Sequence, residues 1–200
     1  MHGAEYDEMM EMVDSYRDKF ESVAIAEPLL GEVGSDATVI NADKEAVAKA
    51  ITAEAVKTAG FDSLDAAAKD GTAFVFMGHG TSHTAKVSYT QMQSQMNALA
   101  TRTSSSAPSR VSRRRLPART SSSCQGRRLH QGRPASLMVV AGDHANNDMA
   151  GDDEDSWKSQ FEASGEFDSV ECQIAGLGEV TDIQQLYVAH TKAAVDSLNG

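Results

Sequence analysis

Two histidines in this 200-residue chain follow apolar segments at matching places. His79 lies in Gly-His-Gly after the run 72–77, and His144 lies in Gly-Asp-His-Ala after the run 137–141. Imidazole binds transition-metal ions and exchanges protons near neutral pH. If both runs are parallel strands, the two histidines lie at the carboxyl edge of one sheet, where ligands bind. The pattern predicts that they share one metal ion and accept protons, and the alternative is that each only closes a strand-to-helix turn.

Other ionisable residues are weaker candidates for chemistry. His83 lies four residues after His79, but a glycine between them disfavours one helix through both, so we expect His83 at the edge of a substrate. Glu5 lies near His2 at the start of a predicted helix, and the simpler interpretation there is a solvated terminus. The acidic run 152–155 is typical of a helix N-terminus and needs no further role.

The hydrophobic pattern alternates between helical and strand-like segments. It predicts helices at 5–20, 43–58, 84–99, 149–163 and 182–198, and strands at 23–30, 72–77, 137–141 and 170–175. Strands that alternate with helices are typical of an α/β fold with a parallel sheet.

Charge is unevenly distributed along the chain. The net charge is −11, yet nine of the ten arginines lie between Ala100 and Ser136, a segment with no Asp, Glu or Lys. This segment also lacks apolar periodicity, which predicts a disordered basic linker. A basic arm of this kind is one way to bind nucleic acid. We expect no nucleic-acid partner, because interleaved aromatic residues are missing and the rest of the chain is acidic.

Composition narrows the remaining classes. No apolar run is long enough to span a bilayer, and residues 1–20 lack a signal-peptide pattern. Cys124 and Cys172 form no C-x-x-C pair, so neither a disulfide framework nor a zinc ribbon is indicated. We expect a cytoplasmic protein, unless an export signal preceded Met1 in a longer chain. The sequence is compatible with a homo-oligomer.

Two long strings carry a family resemblance. FMGHGTSHTAKVSYTQMQSQM (76–96) and LMVVAGDHANNDMAGDDEDSWKSQF (137–161) closely resemble the anaerobic sirohydrochlorin cobaltochelatases, which are class II tetrapyrrole chelatases. The resemblance covers roughly 2–99 and 137–199. It implies a bilobal chelatase fold, with parallel sheets flanked by helices and a cleft that receives the tetrapyrrole. It also implies a lyase that inserts Co²⁺ into sirohydrochlorin in anaerobic cobalamin (corrinoid) biosynthesis, with Co²⁺ as substrate metal and no organic cofactor.

The resemblance assigns roles to particular residues. It makes His79 and His144 the paired metal-binding and catalytic histidines, and Glu5 the glutamate that the first lobe contributes to the cleft. With His83, Glu5 is then a substrate-binding residue. A further metal-binding glutamate of the family falls at about Arg110. Two histidines do not distinguish Co²⁺ from Ni²⁺ or Fe²⁺.

The resemblance also implies two departures from the family. Most of the first lobe is missing before residue 1, so 1–70 is a remnant of that lobe with connecting helices, and 71–200 is the second lobe, whose last helix packs toward the first. Residues 100–136 are unmatched, and a one-base shift of GC-rich codons in 100–112 and 125–134 gives family-like sequence, as a frameshift would. The alternative function is a non-catalytic remnant that binds a metal or a tetrapyrrole.

Overall fold

The computed structural model describes residues 1–36, 38–102, 109–112 and 129–199. The described residues form a four-stranded parallel sheet in the order β2-β1-β3-β4. The strands are β1 (Thr72–Met77), β2 (Ser109–Ser112), β3 (Leu129–Ser136) and β4 (Phe167–Val170). The predicted α/β class with a parallel sheet is confirmed.

Helices cover both faces of the sheet. They are α1 (Ala4–Asp14), α2 (Ala42–Thr58), α3 (Leu64–Asp70), α4 (Ser88–Arg102), α5 (Trp157–Ser164) and α6 (Thr181–Leu198), with a π-helical turn at His144–Met149 and short 3-10 turns at Arg17–Lys19, Thr84–Val87 and Leu177–Glu179. Helix α2 begins one residue before the predicted start at 43, because Asn41 caps it: the Asn41 side chain accepts a hydrogen bond from the Lys44 N–H. None of the described helices is long and apolar enough to cross a bilayer.

Strand β1 is buried on both faces. Phe74 and Phe76 join one apolar cluster with residues of α2, α4 and α6, whereas Val75 and Met77 join a second cluster around Trp157 of α5. A strand with two buried faces reads as a continuous apolar run rather than an alternating one. The prediction of a strand at 72–77 is therefore confirmed.

The prediction of a disordered linker at 100–136 is wrong for its described parts. Residues 109–112 form β2, and Leu129–Ser136 form β3, which lies between β1 and β4. Backbone pairing with β1, from Thr72 opposite Gln131 to Met77 opposite Ser136, defines β3 in spite of its weak apolar pattern. The rest of the segment, 103–108 and 113–128, lies outside the described residues, and the proposed frameshift over 100–112 and 125–134 stays a prediction.

The prediction of a strand at 137–141 is also wrong. The Leu137 N–H still donates to the Met77 carbonyl at 2.7 Å, but the chain bends after this residue. Val139 and Val140 are 45% and 74% exposed. An apolar run here marks the wall of a cavity and not a buried strand.

Three smaller differences concern element boundaries. Residues 23–30 form no strand. Of the predicted helix at 149–163, Met149 ends the π-helical turn, 150–156 are not helical, and 157–163 belong to α5. The predicted strand at 170–175 overlaps β4 only at Val170, and beyond it only an isolated bridge pairs Ala135 with Gln173.

The last helix lies against the early part of the chain. His190 on α6 donates from Nδ1 to the Glu27 carbonyl at 2.8 Å, and its Nε2 lies 3.3 Å from an Asp43 carboxylate oxygen. Helix α2 packs on the same sheet face as α4 and α6. Residues 42–58 thus form a layer of the sheet structure, and the predicted division into two lobes at 70/71 stays a prediction.

Candidate metal centre

The turn after β1 carries His79 and is braced by one tyrosine. A Cβ atom at Gly78 would lie 2.2 Å from Cε1 of Tyr89, so only glycine fits against that ring. The Tyr89 hydroxyl accepts a hydrogen bond from the Gly80 N–H at 2.8 Å. Gly80 has a φ of +83°, which favours glycine. The exposed His79 side chain therefore extends from a turn with a fixed backbone.

Two buried side chains and a side-chain hydrogen bond hold the turn that carries His144. Ala145 and Met149 are fully buried in the cluster around Trp157. The Asn146 side-chain amide donates to the Gly142 carbonyl at 2.7 Å. These contacts hold the π-helical turn, a conformation that is frequent at functional sites.

The two turns bring His79 and His144 together at the carboxyl edge of the sheet. Their ring centroids lie 4.7 Å apart with an interplanar angle of 68°, an edge-to-face arrangement. The matched positions of the two histidines in the sequence predicted this meeting. Their metal-binding and catalytic roles stay predictions.

Hydrogen bonds fix where each ring carries its proton. Nδ1 of His79 lies 3.2 Å from the Gly80 carbonyl oxygen, which only accepts, so Nδ1 bears the hydrogen. Nδ1 of His144 lies 2.5 Å from Oδ2 of Asp148, and the same reasoning applies to that carboxylate. In each neutral ring the lone pair is then on Nε2, the atom that a metal ion or a proton would reach.

His83 has the opposite arrangement. Its Nδ1 accepts a hydrogen bond from the Ala85 N–H at 3.1 Å, so the proton of the neutral ring is on Nε2, which lies 3.2 Å from Oδ2 of Asp7. Neither nitrogen presents a lone pair to a metal ion in this arrangement. His83 instead links the His79 turn to α1, which agrees with its assignment outside the metal ligands.

Carboxylates do not complete a metal site in the described part of the chain. Glu5 is exposed on the first turn of α1, and no group of three His, Cys, Asp or Glu side chains among the described residues is arranged to hold a metal ion. Arg110 lies on β2 opposite Val75, and its side chain is outside the described residues. The described residues therefore bring two imidazoles together at this edge without a third ligand arranged to complete the site.

A cavity of about 350 Å³ opens beside the histidine pair. His79, Tyr89 and His144 line it together with apolar side chains of Leu30, Leu137, Met138, Val139 and Val140. The cavity role of Tyr89 and the contact of Asp148 were not predicted from the sequence. The second carried a usable signal, since residues four apart on a helical turn are neighbours.

The parallel sheet and its histidine edge define an α/β protein with a candidate metal centre beside an apolar cavity. The sequence model of one family, described as Cobalt chelatase (CbiK), matches residues 1–196. This chain belongs to the cobalt chelatase family. The resemblance drawn from the two sequence strings is thereby confirmed.

Two characterised relatives resemble nearly the whole chain. A sirohydrochlorin cobaltochelatase of Salmonella typhimurium is 29% identical over 208 residues, which cover 98% of this chain and 66% of that protein. The sirohydrochlorin cobaltochelatase CbiKC of Nitratidesulfovibrio vulgaris is 32% identical over 203 residues, with coverage of 98% and 63%. The chain thus spans a little under two thirds of the length of these relatives.

Proposed function

We propose that this chain is a metal chelatase, a lyase that inserts Co²⁺ into sirohydrochlorin or a related tetrapyrrole in anaerobic cobalamin (corrinoid) biosynthesis. The observation that carries the proposal is the edge-to-face pair of His79 and His144. Their ring centroids lie 4.7 Å apart beside an apolar cavity. The names of the two relatives support the choice of metal and macrocycle.

The two imidazoles can provide both the metal ligands and the proton acceptors that this reaction needs. Co²⁺ is a substrate that must lose water ligands, and the macrocycle must lose two pyrrole N–H protons as its nitrogens bind the ion. Each Nε2 lone pair can first bind Co²⁺ and then, as the ion passes to the pyrrole nitrogens, accept one of the protons that they release. Two protons leave as one dication enters, so the charge of the macrocycle is unchanged.

The cavity supplies an apolar surface for one part of the macrocycle. Its volume of about 350 Å³ is at the lower end of the range for small-molecule sites. Leu30, Val139 and Val140 offer contacts to a flat conjugated ring. Glu5 and His83 lie on and beside α1, and we assign them to the border of the bound tetrapyrrole. No organic cofactor is needed for this chemistry.

The proposed setting is the cytoplasm. Cys172 is a free thiol in the described part of the chain, as is usual in a reducing compartment. Fractionation of cells that produce the full-length protein would test this, and export to an oxidising compartment would contradict it.

A chelation assay tests the proposed function directly. Purified protein is mixed with Co²⁺ and sirohydrochlorin, and the visible absorption of the macrocycle reports insertion. We expect His79→Ala and His144→Ala each to lower kcat/KM by about 10²- to 10⁴-fold, the range for loss of a positioned proton acceptor. His130→Ala is the matched control, because this exposed histidine contacts Asp168 and does not line the cavity. Equal turnover in all three variants would contradict the proposal.

A second candidate is a protein that binds the metal or the tetrapyrrole without insertion. It is favoured by the described donor set, which contains two imidazoles and no third ligating side chain. Calorimetric titration separates the two candidates. Co²⁺ binding that depends on both histidines, together with an unchanged spectrum of the macrocycle, would select the binding protein.

A further inference from the structure

The Asp148 carboxylate contacts the ring of His144. Its Oδ2 lies 2.5 Å from Nδ1 of His144, and the Asp148 and His144 side chains are partly exposed, at 25% and 30%. In the described part of the chain, Nδ1 of His79 donates instead to the backbone carbonyl of Gly80. The proton position in His144 therefore depends on a replaceable side chain, whereas that in His79 depends on the backbone.

The π-helical turn fixes Asp148 in its place beside His144. Met149, the next residue, is fully buried, so it anchors the end of the turn. Gly151 closes the turn by donating its N–H to the Asn147 carbonyl at 3.0 Å, and a Cβ there would lie 2.4 Å from that oxygen. With both ends held, the carboxylate stays on the same side of the turn as His144.

We propose that Asp148 is a positioning residue that holds the His144 ring in the Nδ1–H form and aims its Nε2 at the side of His79 and the cavity. Without this acceptor, the ring can rotate or carry its proton on Nε2, which removes the lone pair from the metal site. The inference rests on the proposed function for its meaning, but its tests need no turnover.

Metal affinity gives the first test. Asp148→Leu replaces the carboxylate with a larger apolar side chain that cannot accept a hydrogen bond, and we expect it to weaken Co²⁺ binding by about 10- to 100-fold, the usual effect of losing such a partner of a ligating histidine. Asp148→Glu should restore part of the affinity. Asp168→Leu is the matched control, because it removes the carboxylate beside the exposed His130, away from the cavity. Equal Co²⁺ affinity in the Asp148→Leu variant and the unaltered chain would overturn the proposal.

The combined variant shows whether Asp148 acts through His144. In the His144→Ala background, Asp148→Leu should cause no further loss of Co²⁺ affinity, because the ring that it positions is gone. Independent losses that add in the double variant would overturn the proposal. A thermal melt of each variant accompanies the titration, and Asp148→Ala, which also lacks an acceptor, replaces Asp148→Leu if the latter does not fold.

Nitrogen NMR of the imidazoles reads the proton position itself. In the neutral ring, His144 should be the Nδ1–H form in the unaltered protein and should shift toward the Nε2–H form in Asp148→Leu. An unchanged His144 signal would overturn the proposal. A protein that shows this shift yet inserts no cobalt refutes the proposed function alone.

Discussion

Gly78→Ala should destabilise the protein through a single clash. The new Cβ would lie 2.2 Å from Cε1, 2.9 Å from Cδ1 and 3.0 Å from Cζ of Tyr89, which is only 8% exposed and has little room to move. Overpacking of this kind costs about 1–3 kcal/mol. A displaced ring also loses the hydrogen bond from the Gly80 N–H, which contributes about 0.5–1.5 kcal/mol.

A smaller effect opposes these two. Alanine restricts the unfolded chain more than glycine does, so it stabilises the folded state by about 0.4–1 kcal/mol where its backbone conformation is allowed. The net loss in the free energy of unfolding is then about 2 kcal/mol, or a Tm lower by about 4–8 °C for a chain of this size. Co²⁺ affinity should fall as well, because the same turn carries His79.

Calorimetric melts of four proteins test this reasoning: the unaltered chain, Gly78→Ala, Tyr89→Leu and the double variant. If the clash is the cause, the double variant should be more stable than the sum of the two single effects. A Gly78→Ala protein with an unchanged Tm, or a double variant with strictly additive losses, would refute the reasoning.

Three further predictions concern other sites. His83→Gln should raise the KM for the tetrapyrrole and leave Co²⁺ affinity unchanged, because both ring nitrogens are already engaged; weaker Co²⁺ binding in a calorimetric titration would contradict this. Burial raises the pKa of the Cys172 thiol to about 11, so only about 0.1% of it is thiolate at pH 8. Iodoacetamide should therefore label Cys172 far more slowly in the native than in the unfolded protein, as measured by mass spectrometry. Gly176→Ala would place a Cβ 2.4 Å from the Val139 carbonyl oxygen and should cost about 1–3 kcal/mol in a thermal melt, whereas Gly142→Ala, with no atom within 4 Å, should leave Tm nearly unchanged.

The elements that the sequence predicted are those in which the pattern of apolar residues follows their burial. Strand β1 was predictable because both of its faces are buried, and α2 because one face carries the apolar residues that join the core. The meeting of His79 and His144 followed from their places after apolar runs. Helix α3 is short, with seven residues, and its alanines carry little periodic signal.

Three features could not be predicted from the hydrophobic pattern. Strand β3 contains Gly132 and Pro134, residues that disfavour a central strand, and its place is set by backbone pairing with β1. The run 137–141 predicts a strand because an apolar cavity wall and an apolar core have the same composition. Asp148 lies in a polar segment where only the spacing to His144 carried information.

The hydrogen bond between Leu137 and Met77 has a mechanical consequence. It extends the pairing of β1 and β3 by one residue beyond the strands, toward the two histidine turns. These strands are neighbours, and neighbouring strands lie about 4.8 Å apart, which is comparable with the 4.7 Å between the two rings. The central ladder of the sheet thus holds together the backbones that lead into the two histidine turns. An ion of another radius is then accommodated by rotation of the histidine side chains, because a shift of the strands would open the buried strand β1.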